Sequence, residues 1–179
     1  MWLLFCLFFF TKKRLRGNKE ITYNLGTNGR KWGKVVDMFF GTYQGKLDDK
    51  GRVVIPSKMR EEAGQKLFIM KGYDGALSIY KPEEFEKLIV RINSLKDNHK
   101  NSRDFARASL ASTCELDVDK QGRVQIPTLL INKYHIGKEV VIIGVGNHIE
   151  IWDMQAYQAY ENDVDNRYEN IAESLDQDN

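Results

Sequence analysis

The sequence predicts a mainly β protein with short helices, an α+β fold in which two similar halves close one barrel about a pseudo-twofold axis. Three observations carry this expectation. The phrase "DDKGRVVIP" (Asp48–Pro56) returns as "DKQGRVQIP" (Asp119–Pro127), an offset of 119 minus 48, or 71, that lays Arg52 on Arg123 and Pro56 on Pro127. With one residue added, at offset 72, "KLFIMKGYDGALSIYKPEEFEKL" (Lys66–Leu88) lies over "KEVVIIGVGNHIEIWDMQAYQAY" (Lys138–Tyr160), matching Gly72 to Gly144, Ile79 to Ile151 and Tyr80 to Trp152. Each copy alternates β-branched runs with glycine-bearing turns before changing to helical periodicity. Four short strands per half cannot bury both faces alone, so the halves are expected to pack on each other as one closed barrel.

Taken in order, residues 1–37 come first. "MWLLFCLFFF" precedes "TKKRLRG", so the charge follows the apolar run, the reverse of an export signal. Ten apolar residues are also too few to span a bilayer, which needs about 20. Patterned sequence begins at Met38, and the expectation is that Met38 is the natural first residue and 1–37 a non-native or disordered leader. A short membrane-surface anchor is the competing reading. Residues 38–92 then form the first half, 93–113 a linker, 114–160 the second half and 161–179 an acidic tail.

Within each half a strand runs into the turn "DDKGR" or "DKQGR", where Gly51 or Gly122 supplies the positive φ of a tight connection. A second strand follows, with Val53, Val54 and Ile55 in one copy and Val124 and Ile126 in the other. It ends at Pro56 or Pro127, which suits the start of a short helix and cannot continue a central strand. Next comes a hairpin, "LFIM" and "ALSIY" around "KGYDG", or "VVII" and "IEIW" around "GVGNH". A helix closes each half. In the first, Pro82 stands near its start, Glu83, Glu84 and Glu86 follow, and Phe85, Leu88, Ile89 and Ile92 make an apolar stripe, read as core or, in part, as an oligomer interface. In the second, Asp153 is the expected N-cap and Met154, Tyr157 and Tyr160 form the stripe. The linker should hold a short helix around Phe105–Ala111, and the tail a helix extension that frays.

Composition is that of an ordinary globular chain: 179 residues, 42% hydrophobic and 29% charged, with a formal net charge of +2. The charge is unevenly spread. Residues 1–37 hold eight Lys/Arg against two Asp/Glu, and residues 161–179 one against seven, leaving 18 against 16 between them. A polyanion partner would therefore meet local basic clusters or repeated copies of the chain, not a polycation. The two cysteines, Cys6 and Cys114, have no paired spacing, so neither a disulfide framework nor a zinc site is indicated, a reducing cytosol fits, and Cys114 reads as a small buried hydrophobe.

The repeated turn is the candidate site. Asp48 and Arg52, like Asp119 and Arg123, stand four residues apart across a glycine, close enough for the carboxylate to orient the guanidinium. One reading is a structural ion pair that pins the hairpin. The other is a rigid basic edge, Lys50 with Arg52 and Lys120 with Arg123, at the tip of a two-stranded ribbon that fits the major groove of DNA, where an arginine fork pairs with guanine O6 and N7. The spacing is compatible with both.

"MFFGTYQGKLDDKGRVVIP", "DKQGRVQIP" and "GVGNHIEIWD" resemble the MraZ family of bacterial proteins, from Met38 to about Tyr160 and in family-like order. The resemblance implies an AbrB-like double-split barrel of swapped hairpins and a ring-like homo-oligomer. It implies a nucleoid-associated cytoplasmic regulator of the division and cell-wall gene cluster, bound to promoter repeats in double-stranded DNA. Lys50, Arg52, Lys120 and Arg123 would then contact DNA, with Asp48 and Asp119 orienting the arginines. Residues 1–37 lie outside the pattern, and the acidic tail would repel a duplex placed near it. A protein-binding module of the antitoxin type is the alternative, its tail capturing a basic partner.

Catalytic marks are missing. There is no phosphate-binding loop, no Gly-x-Ser-x-Gly elbow and no His-Glu-x-x-His, and "GVGNH" has two glycines and a following strand where a dinucleotide fingerprint needs three and a helix. His99, His135 and His148 have no metal-ligand spacing. The expectation is a protein with no enzymatic activity, cofactor, metal, membrane span or small-molecule substrate.

Overall fold

The computed structural model describes residues 38–177, and the expected leader lies outside them. The first half supplies β1 (Phe39–Lys46), β2 (Arg52–Val54), α1 (Ser57–Ala63), β3 (Lys66–Lys71), β4 (Leu77–Tyr80) and α2 (Pro82–Asn93). After α3 (Lys100–Leu110), the second supplies β5 (Cys114–Asp117), β6 (Arg123–Gln125), α4 (Thr128–Lys133), β7 (Glu139–Gly146), β8 (His148–Asp153) and α5 (Met154–Asp165), followed by α6 (Tyr168–Gln177). The fold is mixed α+β with antiparallel sheets, and its element order repeats as the sequence does.

Six strands pair in the order β1-β7-β8-β4-β3-β5, and β2 pairs with β6 in a separate two-stranded ribbon. The order is symmetric about its centre. The last strands of the two halves, β4 and β8, pair there, with Ile79 opposite Ile149 and Leu77 opposite Ile151. Each half's first strand leaves its own half and pairs with the third strand of the other: β1 with β7, Gly45 opposite Val140, and β5 with β3, Leu67 opposite Leu116.

The single closed barrel expected from the sequence is not what the pairing gives. β1 and β5 are the outer strands of an open sheet, and β2 and β6 bond to each other instead of to them. The ribbon is short because Pro56 and Pro127 stop it, each having no N–H to continue a ladder. Its last backbone bonds, Ile55 N–H to Gly122 O and Ile126 N–H to Gly51 O, both 2.9 Å, are spent within the ribbon.

The core lies between sheet and ribbon. Val53, Ile55, Val124 and Ile126 from the ribbon region meet Leu67, Ile69, Ile142 and Ile151 from the sheet, all buried. This period-two burial fixes the register, since a slip of one residue would turn each apolar set outward. On the outer side Trp152 and Val141 are buried with Tyr157 of α5 packed against them, and Phe85 of α2 stacks on Phe68 at 4.3 Å between ring centroids. The Phe85 stripe thus serves the fold directly, ending at Ile92, which is 3% exposed. Cys114 is half-buried, packed against the core edge rather than sealed in it.

Two local expectations change. "GVGNH" is not an open loop: Gly144 to Gly146 belong to β7 and the turn contracts to Asn147. β1 lies so close there that a Cβ on Gly144 would stand 2.3 Å from the backbone nitrogen of Phe40. The linker helix begins earlier than expected, at Lys100. After Tyr160 the acidic tail carries on as helix: α5 continues to Asp165 and α6 begins at Tyr168, the break bridged by an Arg167–Asp163 ion pair of 2.7 Å. Two other helix starts agree with the sequence. Asp153 caps α5, its Oδ1 accepting from the backbone N–H groups of Gln155 and Ala156, and Pro82 opens α2.

Candidate functional site

The two Asp-x-x-x-Arg turns have one geometry. Asp48 Oδ1 accepts from the backbone N–H of Lys50 and of Arg52, both at 2.9 Å, folding the turn about its carboxylate. Asp48 Oδ2 faces the guanidinium, accepting from Arg52 Nε at 2.7 Å with Nη2 at 2.6 Å. In the second turn Asp119 Oδ1 accepts from Gln121 N–H at 2.8 Å and Arg123 N–H at 2.9 Å, and Oδ2 lies 2.8 Å from both Arg123 Nε and Nη2. Backbone bonds close each loop, Asp48 N–H to Arg52 O and Gly51 N–H to Asp48 O, and likewise Asp119 to Arg123 and Gly122 to Asp119. Gly51 and Gly122 sit at φ +71° and +76°, the left-handed conformation expected of them.

These bonds leave a mark on the carboxylates. The Arg52 guanidinium, then the Arg52 backbone N–H, holds Asp48 down to about 2 from its ordinary 3.8. Asp119 is lowered too, first by the backbone N–H of Arg123. Arg52 is raised in turn by Asp48 and, more weakly, by the charge of Asp119, so the second turn's carboxylate is felt by the first turn's arginine.

Ribbon register explains that proximity. Arg52 opposes Gln125 and Val54 opposes Arg123, so these four side chains share one face, while Val53 and Val124 oppose each other on the buried face. Both arginines therefore stand on the outward face as a diagonal pair, a relation that spans about 7–8 Å in antiparallel strands. Their side chains are 29% and 27% exposed, held against the protein yet open to solvent. Lys50 and Lys120 are exposed beside them. The two lysines are not equivalents: at offset 71 Lys50 matches Gln121, and Lys120 matches Asp49.

Two residues of the site escape a reading of the motif alone. Arg60 of α1 crosses to the other half, its Nη1 donating to Gln121 O at 3.2 Å. Gln121 accepts from Arg123 Nη2 through its Oε1 at 2.5 Å. The repeat offset was the available signal, because it sets Arg60 against Ile131 and Gln121 against Lys50 and so marks where the turns differ. Among the described residues no group of His, Cys, Asp and Glu is arranged to hold a metal ion, and no helix is long and apolar enough to cross a membrane. His148 stacks on Tyr80 and lies within hydrogen-bond distance of Asn147 and Glu150.

Fold and site together define a class: a duplicated α+β protein whose halves exchange their first strands and present matched carboxylate–guanidinium turns on one two-stranded ribbon. The family model described as "MraZ protein, putative antitoxin-like" matches the chain twice in succession, over residues 38–108 and 110–179. This chain belongs to the MraZ family. It is 43% identical over 139 residues to the transcriptional regulator MraZ of Mesoplasma florum, covering 77% of this chain and 95% of the relative. It is 41% identical over 139 residues to that of a Thermoanaerobacter species, covering 78% and 97%. The corresponding regulator of Acetivibrio thermocellus is 42% identical over 138 residues, covering 77% and 96%. A solution structure from Pyrococcus horikoshii gives a TM-score of 0.29 at 18% identity, covering 62% of this chain and 94% of that one, too slight a likeness to bear on the fold. The second family match runs to residue 179, so the acidic helices lie inside the family pattern.

Proposed function

We propose that this protein is a sequence-specific DNA-binding transcriptional regulator that grips the major groove with its two Asp-x-x-x-Arg turns. The observation that carries the reading is the ribbon face. Two guanidiniums, each fixed by a carboxylate on one side, project together from a two-stranded element of the shape the major groove admits. Holding the arginine before it meets a base removes ordering that binding would otherwise require. Relatives about 40% identical over nearly their whole length bear the name of transcriptional regulators. Arg52 and Arg123, with Lys50 and Lys120 beside them, are the DNA contacts. Asp48 and Asp119 orient the arginines, and Gly51 and Gly122 shape the turns. The protein works as a ring-like homo-oligomer of AbrB-like swapped hairpins at repeats upstream of the division and cell-wall genes.

The test is a titration of labelled duplex DNA across salt concentrations, because phosphate contacts make log affinity fall linearly with log salt. Arg52→Ala is expected to cut discrimination between target and scrambled duplex by about 1–3 kcal/mol, roughly 5- to 150-fold. Unchanged discrimination in a folded variant would remove Arg52 from the site. A wild-type protein that ignores duplex DNA at low salt would favour the other reading, capture of a basic protein by the acidic tail, residues 161–179.

A further inference from the structure

We infer that the two turns divide the work: Arg52 reads a base edge, while Arg123, Arg60 and Gln121 form a clamp for backbone phosphate. This rests on the DNA-binding reading above and assigns different tasks to turns that the repeat makes look alike.

The difference lies in which guanidinium hydrogens are already spent. A carboxylate held against Nε and Nη2 leaves the outer edge of the guanidinium, Nη1 and the second Nη2 hydrogen, as a parallel pair of donors. In Arg52 that outer edge donates to no described residue. It has the form required by guanine O6 and N7, which accept two parallel bonds from one arginine. Arg123 lacks this freedom. Its Nη2 serves Asp119 Oδ2 and also Gln121 Oε1, so the hydrogen that would complete a bidentate base contact is occupied. What remains suits a phosphate oxygen, which accepts from any direction and carries no sequence information.

Arg60 supplies the second half of the case. Its guanidinium lies over Gly122, where a Cβ would stand 2.2 Å from Nη1, and it bonds the carbonyl of Gln121. Two guanidiniums thus meet at the second turn, with Lys120 exposed on the same loop. At the first turn the residue matched to Arg60 is Ile131, whose Cδ1 covers Gly51, and the residue matched to Gln121 is Lys50, which offers Arg52 no acceptor. One turn is therefore apolar-backed with an open fork, and the other is doubly cationic with its fork closed.

The experiment uses the full chain and two labelled duplexes, one selected by the wild-type protein from a random-sequence library and one of the same composition scrambled. Anisotropy titrations are run over a range of KCl concentrations. Arg52→Ala should collapse the affinity ratio between the duplexes at least fivefold. Arg60→Ala should weaken both alike and flatten the salt slope by about one, the signature of a lost phosphate contact. Arg60→Lys, which keeps the charge, should retain the slope, so that a loss caused by misfolding is recognisable. Gln121→Ala frees the Arg123 fork for a base edge and should raise the ratio. An equal collapse of the ratio in Arg52→Ala and Arg123→Ala would overturn the division of labour, as would an unchanged slope in Arg60→Ala. Failure of the wild type to bind either duplex at about 50 mM salt would instead bring down the DNA reading itself.

Discussion

Replacing Gly122 with alanine tests the turn and the clamp together. The residue sits at φ +76°, where an L side chain costs about 1–2 kcal/mol. The added Cβ would also lie 2.2 Å from Arg60 Nη1, 2.5 Å from its Cδ and 2.6 Å from its Cζ. All three belong to the far part of a flexible side chain, so Arg60 swings aside rather than the backbone yielding. The cost of that movement is its bond to Gln121 O, about 0.5–1.5 kcal/mol net. Together these come to roughly 1.5–3.5 kcal/mol, a fall in Tm of roughly 3–14 °C for a domain of this size by calorimetry. Gly51→Ala is the control. It has the same backbone strain at φ +71°, but its Cβ meets Ile131 Cδ1 at 2.8 Å and the carbonyl of Ile126 at 3.2 Å. Both variants should melt early, and only Gly122→Ala should also flatten the salt dependence of duplex binding, because only it evicts Arg60. A melting point within a degree of wild type for either variant would refute the turn conformation. Equal flattening by Gly51→Ala would refute the role given to Arg60.

Two further outcomes are expected. Because Asp48 titrates near 2 when folded against 3.8 ordinarily, the stability it contributes is fully present above about pH 4 and is lost as pH falls toward 2; Asp119 acts in the same direction. Carboxyl-carbon NMR shifts should place the Asp48 midpoint near 2, and a midpoint at 3.8 would mean that Arg52 is not bonded to it in solution. Ile126→Ala, at a position with no exposed surface beneath the ribbon, should cost about 2–5 kcal/mol by urea denaturation. A smaller cost would mean that the ribbon does not cap the core.

Much of this was written in the repeat. The offset of 71 equates Asp48 with Asp119 and Arg52 with Arg123, and their spacing across a glycine was enough to foresee the ion pairs. Helix starts at Asp153 and Pro82 followed from capping chemistry, which is local. The strand exchange was not legible in the residue pattern, though the family resemblance implies swapped hairpins. A duplication shows which residues are equivalent, but not whether β1 pairs with its own half or the other, because the apolar pattern satisfies either. Closure is illegible for a related reason: Pro56 and Pro127 mark strand ends in the sequence, while their effect on the ribbon's reach depends on partners far away in sequence. Gly144 reads as a loop residue because the approach of β1 is a contact between residues distant in sequence. Arg60 carries no mark in the sequence because its partner Gln121 lies 61 positions on, and only the fold brings them together.

Exchange of first strands also sets a timetable for synthesis. Phe39 finds its place opposite Gly146, and so must wait for 107 further residues to be translated. Until then the nascent first half carries the buried side of β1 without the strand that should adjoin it. A polypeptide organised this way has no early resting point, and a ribosome stalled in the linker would release an incomplete sheet, a natural customer for chaperones.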